Sequence, residues 1–318
     1  MISISDIVQK FNTEQFDGSI LRSENMANHT TIKVGGQAPI FVSPKNIPSL
    51  IYALSIFHTN NIPYFVIGGG SNIIVSDKGF EGAVIHTGKL KDFSPCTVQS
   101  EDCASEKIVC CSAGENISSL VSFCTENKCS GLETFAGLPG TVGGAIYMNA
   151  SCFDVSISDR LLSCEYIDLE SLKICEYIFN PDDWDYKKSP FQQKKSIITN
   201  AKFRVHFLQS ESTTIAERCK KYILERSSKG HFKYPSAGSV FKNNHSFGEP
   251  SGKLIDLAGL KGYRIGGAQV APWHGNFIIN VENASAMDVK DLIEFVKKKV
   301  YEKTGFMLEE EVILCGLW

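Results

Sequence analysis

Ser239 lies between Gly238 and the strand-like Val240-Phe241 in the run Tyr234-Pro235-Ser236-Ala237-Gly238-Ser239-Val240-Phe241-Lys242. The run sets a small hydroxyl beside a glycine, and taken alone it is only a turn entering a strand. Far upstream, Gly68 to Asn72 and Gly137 to Gly144 keep side chains small where the phosphates of a ligand would approach the backbone. Together the three segments suggest a dinucleotide held in one region and chemistry done from another, the arrangement of a flavoenzyme.

The spacing around the first loop ranks a Rossmann dehydrogenase last. Tyr64–Ile67, after Pro63, has the pattern of a buried strand, as do Ile73-Ile74-Val75 and Ala83 to Ile85, with a turn at Asp77-Lys78-Gly79. Gly68-Gly69-Gly70-Ser71-Asn72 therefore lies between strands, whereas a dinucleotide fingerprint needs its glycines to open a helix. Such a loop either gathers backbone N–H groups into an anion nest or is a plain hairpin connection. The second loop, Gly137-Leu138-Pro139-Gly140-Thr141-Val142-Gly143-Gly144-Ala145, adds weight to the nest. It precedes Ile146-Tyr147-Met148-Asn149, which fits a strand or a short helix.

Elements of helical period position these loops. Ile47, Leu50, Ile51, Leu54 and Phe57 mark a helix before the first loop, and Ile117, Leu120, Val121 and Cys124 mark one before the second. Strands are predicted over Glu165–Leu169, Ile174–Phe179 and Ile197–Phe207. A polar link at Gln209 to Thr214 places a domain boundary near residue 209, followed by a helix with Ile215, Cys219, Tyr222 and Ile223 on one face. A last helix starts at Ser285, with Asp288 three residues on, and ends at Gly305.

The 318 residues, 43% hydrophobic and 21% charged, describe a folded protein of two or three domains. A net charge of -3 gives no bulk attraction to nucleic acid or to an anionic membrane, and Lys297-Lys298-Lys299 reads as solvated helix surface. The N-terminal Met1-Ile2-Ser3-Ile4-Ser5-Asp6 lacks the basic start and apolar core of a signal peptide, so a cytoplasmic location is expected. Eleven cysteines without a Cys-x-x-Cys pair read as reduced, packed thiols, and seven histidines without a His-Glu-x-x-His pattern predict no metal. No nucleic acid, membrane or obligate protein partner is expected.

Several motifs occur in a fixed order along nearly the whole chain: Asn28-His29-Thr30-Thr31-Ile32-Lys33-Val34-Gly35-Gly36, Val66 to Gly82, Gly131 to Asn149, Tyr186 to Phe191, Tyr234 to Asn243 and Gly262 to Asn280. In these the chain resembles the UDP-N-acetylenolpyruvoylglucosamine reductases, FAD enzymes of bacterial peptidoglycan precursor synthesis, in the form with a shorter substrate domain. The resemblance implies an α+β fold. Residues 1–90 and 91–208 would form a two-lobed FAD-binding domain of the vanillyl-alcohol-oxidase type. Residues 209–318 would form a smaller α/β substrate-binding domain whose extreme C-terminus returns to the active site. It also implies that NADPH reduces FAD, and that UDP-N-acetylglucosamine enolpyruvate then takes hydride from flavin N5 at its vinyl carbon, giving UDP-N-acetylmuramate.

Hydride addition leaves negative charge beside a carboxylate, which must be stabilised and then protonated. Ser239 matches the family's proton donor, its alternative being a turn serine that caps backbone. Glu311 matches the catalytic glutamate, although Glu310 stands where proline is frequent. A carboxylate near the substrate carboxyl can act only if protonated or paired with a cation, and a cluster of three acids favours raising one pKa; the alternative is a solvated charge run at a strand edge. In Tyr186-Lys187-Lys188-Ser189-Pro190-Phe191, Lys187 replaces the family's arginine, keeping the charge but losing the planar fork that grips a carboxylate at two points. The implied cofactor contacts are Gly68, Gly69, Gly70, Ser71, Asn72, Gly137, Gly140, Thr141, Gly143 and Gly144. The implied substrate contacts are Tyr186, Lys229, Asn243 and His274; His274 equally suits a structural histidine, and Lys229 and Asn243 suit solvated loop positions. Ala150-Ser151-Cys152-Phe153 departs from the glycine-containing turn usual after Asn149. A same-fold flavin oxidase or dehydrogenase on another substrate, and a catalytically impaired binder, are the competing readings.

Overall fold

The computed structural model describes residues 3–90, 96–100, 105–208 and 212–318, and the chain divides into two compact units. The first comprises residues through Arg22, Ile40–Gly69 and Gly82–Leu224; the second comprises Ser23–Pro39, Gly70–Glu81 and Glu225–Trp318. Gln209 to Glu211, where the sequence suggests a boundary, lie outside the described residues.

In the first unit, strand Ala83–His86 lies between Gln37–Pro44 and Tyr64–Ile67, parallel to both. Helix Ile47–Thr59 packs its Leu50, Leu54 and Phe57 into the core with Ile40, Val42 and Ile85. Asn46 starts that helix by accepting the Ser49 N–H at 2.8 Å, one of the donors a helix start leaves unpaired. A second, antiparallel sheet runs Ile174–Ile178, Leu161–Asp168, Ser196–Phe207, Glu106–Ser112, Cys96–Ser100. Helices Ile117–Glu126 and Val142–Tyr147 close a core of Val109, Leu120, Phe135, Ile146, Phe203 and Val205. Full burial of side chains of this size contributes roughly 1.5–3 kcal/mol each.

Helix Ser212–Ser228 corrects one expectation. Ile215 is fully buried, and Cys219 and Tyr222 pack partly on the same core, but Ile223 is 43% exposed. Eight residues at 100° per residue carry Ile223 about 80° from Ile215, to the edge of the apolar stripe.

The second unit has an antiparallel sheet in the order Ser236–Ser239, Phe277–Asn280, Ala268–Val270, Arg264–Ile265. Helix Ala286–Thr304 buries Leu292, Ile293, Val296 and Val300 beneath it. Its start is doubly capped: Ser285 and Asp288 exchange backbone bonds, and the Asp77 carboxylate accepts the N–H groups of Ala286 and Met287 at 2.8 and 3.0 Å. Gly305, at φ +75°, ends it as expected. Strands Ile73–Val75 and Ile313–Cys315 pair in parallel, bringing the chain's end beside the segment that follows the first glycine loop. Lys297 is not plain solvated surface, because its ammonium bonds Glu310 at 2.6 Å and Glu294 at 3.5 Å.

Candidate functional site

The two glycine loops meet backbone to backbone. A Cβ added at Gly69 would lie 2.6 Å from the Gly140 Cα, and one at Gly68 would collide with the Thr141 hydroxyl. Gly137 and Gly140 also adopt φ +76° and +112°, where a side chain is strained. A short helix, Val142–Tyr147, starts inside the second loop, with Gly143 and Gly144 in its first turn and Thr141 as its cap, so Ile146 and Tyr147 are helical while Met148 and Asn149 lie beyond it. Thr141 Oγ1 accepts the Gly144 N–H at 3.3 Å, and the Gly143 N–H donates to the Ala113 carbonyl at 2.8 Å. Among the described residues, the N–H groups of Gly68, Gly69, Gly140 and Thr141 donate to no group of the chain. Unengaged backbone donors on touching loops, with glycine at three of the four positions, suit an anionic pyrophosphate, so these residues fit the FAD expected from the sequence.

Gly70, Ser71 and Asn72 belong to the second unit. The Gly70 carbonyl accepts the Thr31 N–H at 3.0 Å, and Gly70 at φ +62° abuts the His29 carbonyl so closely that a Cβ would collide with it. Ser71 leads to Asn72, whose carbonyl accepts the Ile313 N–H at 2.9 Å.

Ser239 ends strand Ser236–Ser239 at an irregularity: Ser236 pairs with Ile279 but Ser239 with Phe277, three residues against two. Gly238, at φ +76°, absorbs the extra residue, and a bulge of this kind re-aims the side chain that follows. The half-buried Ser239 hydroxyl makes no hydrogen bond with any described residue. Glu311 lies alongside, its N–H donating to the Val240 carbonyl at 2.7 Å while Phe241 and Glu310 form an antiparallel bridge. The acidic run is compensated: Glu309 pairs with Lys242 at 2.5 Å and Glu310 with Lys297 at 2.6 Å. The structure thus brings Ser239 and Glu311 together and supplies the run with cations.

Lys187 belongs to the first unit and adopts φ +57°, uncommon outside glycine. Its ammonium lies 5.8 Å from the centroid of the Tyr186 ring. Gln192 Nε2 donates to the carbonyls of both Lys187 and Tyr147 at 3.0 Å, Ser189 Oγ donates to Tyr147 at 2.7 Å, and Asn149 Nδ2 donates to Asp185 at 2.9 Å. The segment carrying Tyr186 and Lys187 is therefore tied to the end of the helix that the second glycine loop opens.

Of the remaining candidates, Lys229 pairs with Glu225 at 2.7 Å, and Asn243 accepts the Ser251 N–H at 3.0 Å at the start of helix Ser251–Leu257. His274 packs against Phe277 and His231 at centroid distances of 4.5 and 5.8 Å, and its Nδ1 accepts the Asn276 N–H at 3.3 Å. Burial lowers its pKa below the usual imidazole range, and burial together with the charge of His274 brings His231 to about 4. Two supports went unassigned in the sequence. Asn276 exchanges two amide bonds with the Phe241 backbone at 2.9 and 2.8 Å, and the Thr31 hydroxyl bonds the Ser236 carbonyl at 2.7 Å. Both lie inside motifs that carry the resemblance, and that was their only signal.

The described cysteines are buried or half-buried thiols; burial pushes Cys164 and Cys315 up to about 12. No cluster of three metal-ligating side chains occurs among the described residues, and no helix among them is long and apolar enough to cross a membrane.

A family model described as UDP-N-acetylenolpyruvoylglucosamine reductase, C-terminal domain, matches residues 230–315, and one described as FAD binding domain matches residues 38–171. The UDP-N-acetylenolpyruvoylglucosamine reductase of Treponema denticola is 49% identical, covering 96% of this chain and 97% of that protein. That of Borreliella burgdorferi is 39% identical, covering 99% and 98%. The crystal structure of the Thermus caldophilus UDP-N-acetylenolpyruvylglucosamine reductase superposes with a TM-score of 0.74 at 29% identity, covering 94% of this chain and 99% of that one.

Proposed function

The chain belongs to the UDP-N-acetylenolpyruvoylglucosamine reductase family of flavin oxidoreductases, and from that premise we propose that it reduces UDP-N-acetylglucosamine enolpyruvate to UDP-N-acetylmuramate with NADPH in the cytoplasm. Bound FAD supplies the chemistry of hydride transfer from NADPH to the vinyl carbon. The backbone donors of the two glycine loops hold its pyrophosphate. Residues 1–90 and 91–208 serve the flavin, and residues 209–318 serve the substrate.

The observation that carries the reading is the placement of Ser239: a bulge aims an otherwise unengaged hydroxyl, with Glu311 hydrogen-bonded to the next residue in the chain. Ser239 gives its proton to the carbon next to the substrate carboxylate. A hydroxyl is a weak acid, so the step relies on a strongly basic partner and accurate placement. Lys187 and Glu311 stabilise the charge that develops at the carboxylate, and Tyr186, Lys229, Asn243 and His274 contact the sugar nucleotide. The left-handed backbone at Lys187 supports its assignment, since strained conformations concentrate at functional positions.

The test is NADPH absorbance in a preparation shown to carry FAD, with and without the enolpyruvyl sugar nucleotide. Substrate-dependent oxidation is expected. Its absence would move the assignment to a flavoenzyme with another substrate or to an impaired binder. In the same assay Lys187→Ala is expected to lower turnover about 10- to 100-fold, the range of a lost charged contact, with Lys187→Arg retaining most of it. Intact turnover in Lys187→Ala would remove Lys187 from the site.

A further inference from the structure

We propose that Asn72 is a positioning residue for Glu311 and Ser239, an inference that rests on the reductase reading above. Asn72 ends the first glycine loop and is half-buried where strand Ile73–Val75 begins. Its Nδ2 donates to the main-chain carbonyl of Glu311 at 2.9 Å, and its own carbonyl accepts the Ile313 N–H at 2.9 Å. One residue therefore grips the C-terminal segment at two points, on either side of Val312.

That grip matters because the segment has little regular support where its chemistry lies. The parallel pairing with Ile73–Val75 begins only at Ile313, and before it the segment is held by the isolated Phe241–Glu310 bridge, the Lys242 N–H on the Glu309 carbonyl at 2.9 Å and the ion pairs of Glu309 and Glu310. Glu311 is held through its main chain on both sides: its N–H is bound to the Val240 carbonyl at 2.7 Å and its C=O to the Asn72 amide. Val240 directly follows Ser239, so the Asn72 amide, the Glu311 peptide and the Ser239 strand form one continuous hydrogen-bonded chain. With the amide removed, the Glu311 carbonyl loses that bond, and the Glu311–Val312 peptide can tilt while the Lys242 N–H on the Glu309 carbonyl and the Glu311 N–H on the Val240 carbonyl hold the residues before it. A weak acid acting on a fleeting basic carbon is sensitive to such a displacement.

Ser239 and Glu311 act after the flavin has been reduced, so the two half-reactions separate positioning from general support. The experiment is stopped-flow flavin absorbance on holoenzyme, comparing reduction by NADPH with reoxidation by UDP-N-acetylglucosamine enolpyruvate. Asn72→Asp replaces the donor with an acceptor of the same shape, and Asn72→Ala removes it without adding charge near a phosphate-binding loop. In both variants reoxidation is expected to slow about 10- to 100-fold more than reduction, the cost of misplacing a reacting group by about an ångström. Equal slowing of the two steps, slowing of neither, or loss of FAD from both variants would overturn the proposal. Wild-type protein that is reduced by NADPH but not reoxidised by this substrate would instead overturn the reductase reading.

Discussion

The glycine cradle and the Ser239–Glu311 segment meet their chemistry by opposite means. At Gly68, Gly69, Gly140 and Thr141 the working groups are backbone N–H donors, and the contact between the loops leaves no room for a side chain at Gly68 or Gly69. At Ser239 and Glu311 side chains carry the chemistry, aimed by a bulge and by bonds from Thr31, Asn72 and Asn276 to the surrounding backbone. The first region has no slack, because a carbon added at Gly69 meets the Gly140 backbone and one added at Gly68 meets the Thr141 hydroxyl. The second can lose an atom and keep its shape. Substitutions in the cradle should therefore abolish binding, and substitutions at the segment should slow a bound and folded enzyme.

The largest effects test that contrast directly. Ser239→Ala is expected to retain FAD, seen as the flavin absorbance per protein, and to cut substrate-dependent turnover about 10²- to 10⁴-fold, the range for a lost proton donor. Gly69→Val is expected to leave protein without FAD, since its Cβ would lie 2.6 Å from the Gly140 Cα. Loss of FAD in Ser239→Ala together with retention in Gly69→Val would break the comparison. A smaller effect sharpens it: Thr31→Val removes the bond to the Ser236 carbonyl but leaves the Thr31 N–H on Gly70. One neutral hydrogen bond is worth about 1 kcal/mol, so a turnover loss of roughly 5-fold with full FAD content is expected. A loss of FAD would place Thr31 with the cradle instead.

The same contrast explains what could be read in advance. Glycine clusters announce themselves because only glycine tolerates the close approach of Gly69 to Gly140 or the φ of Gly140, and the strands and helices around them follow plain periodicity. Periodicity alone left Ile146 to Asn149 open, because about one helical turn of residues is too short to separate helix from strand. It also overcounted the face of helix Ser212–Ser228, where Ile223 sits at the stripe's edge. Ser239 and Glu311 were legible only through resemblance, since a serine in a turn and a glutamate in an acidic run have no local pattern of their own. Nor does spacing reveal that Lys242 and Lys297 pair with Glu309 and Glu310, or that Asn72 reaches residue 311, because such contacts join segments far apart in sequence.

The smallest expected effect concerns titration, which the backbone donors of the cradle do not undergo in mild acid but His231 of the second unit does. His231 packs 4.7 Å from the Phe277 ring and 5.8 Å from His274, with Arg226 and Lys229 adding positive charge. Burial, then the charge of His274, lowers its pKa from 6.5 to about 4, and His274 shifts in the same direction. Between these values the unfolded chain binds a proton that the folded chain refuses, so acid favours unfolding. The stability contributed by neutral His231 is complete above about pH 6.5 and declines as pH falls toward about 4. Thermal melts should therefore show the wild-type midpoint dropping more steeply from pH 7 to pH 5 than that of His231→Phe, which keeps an aromatic ring and removes the titration. The difference is expected to be a few degrees, because both rings retain partial contact with water. An equal or shallower wild-type slope would mean that His231 is charged in the folded protein, and that its site accommodates a cation.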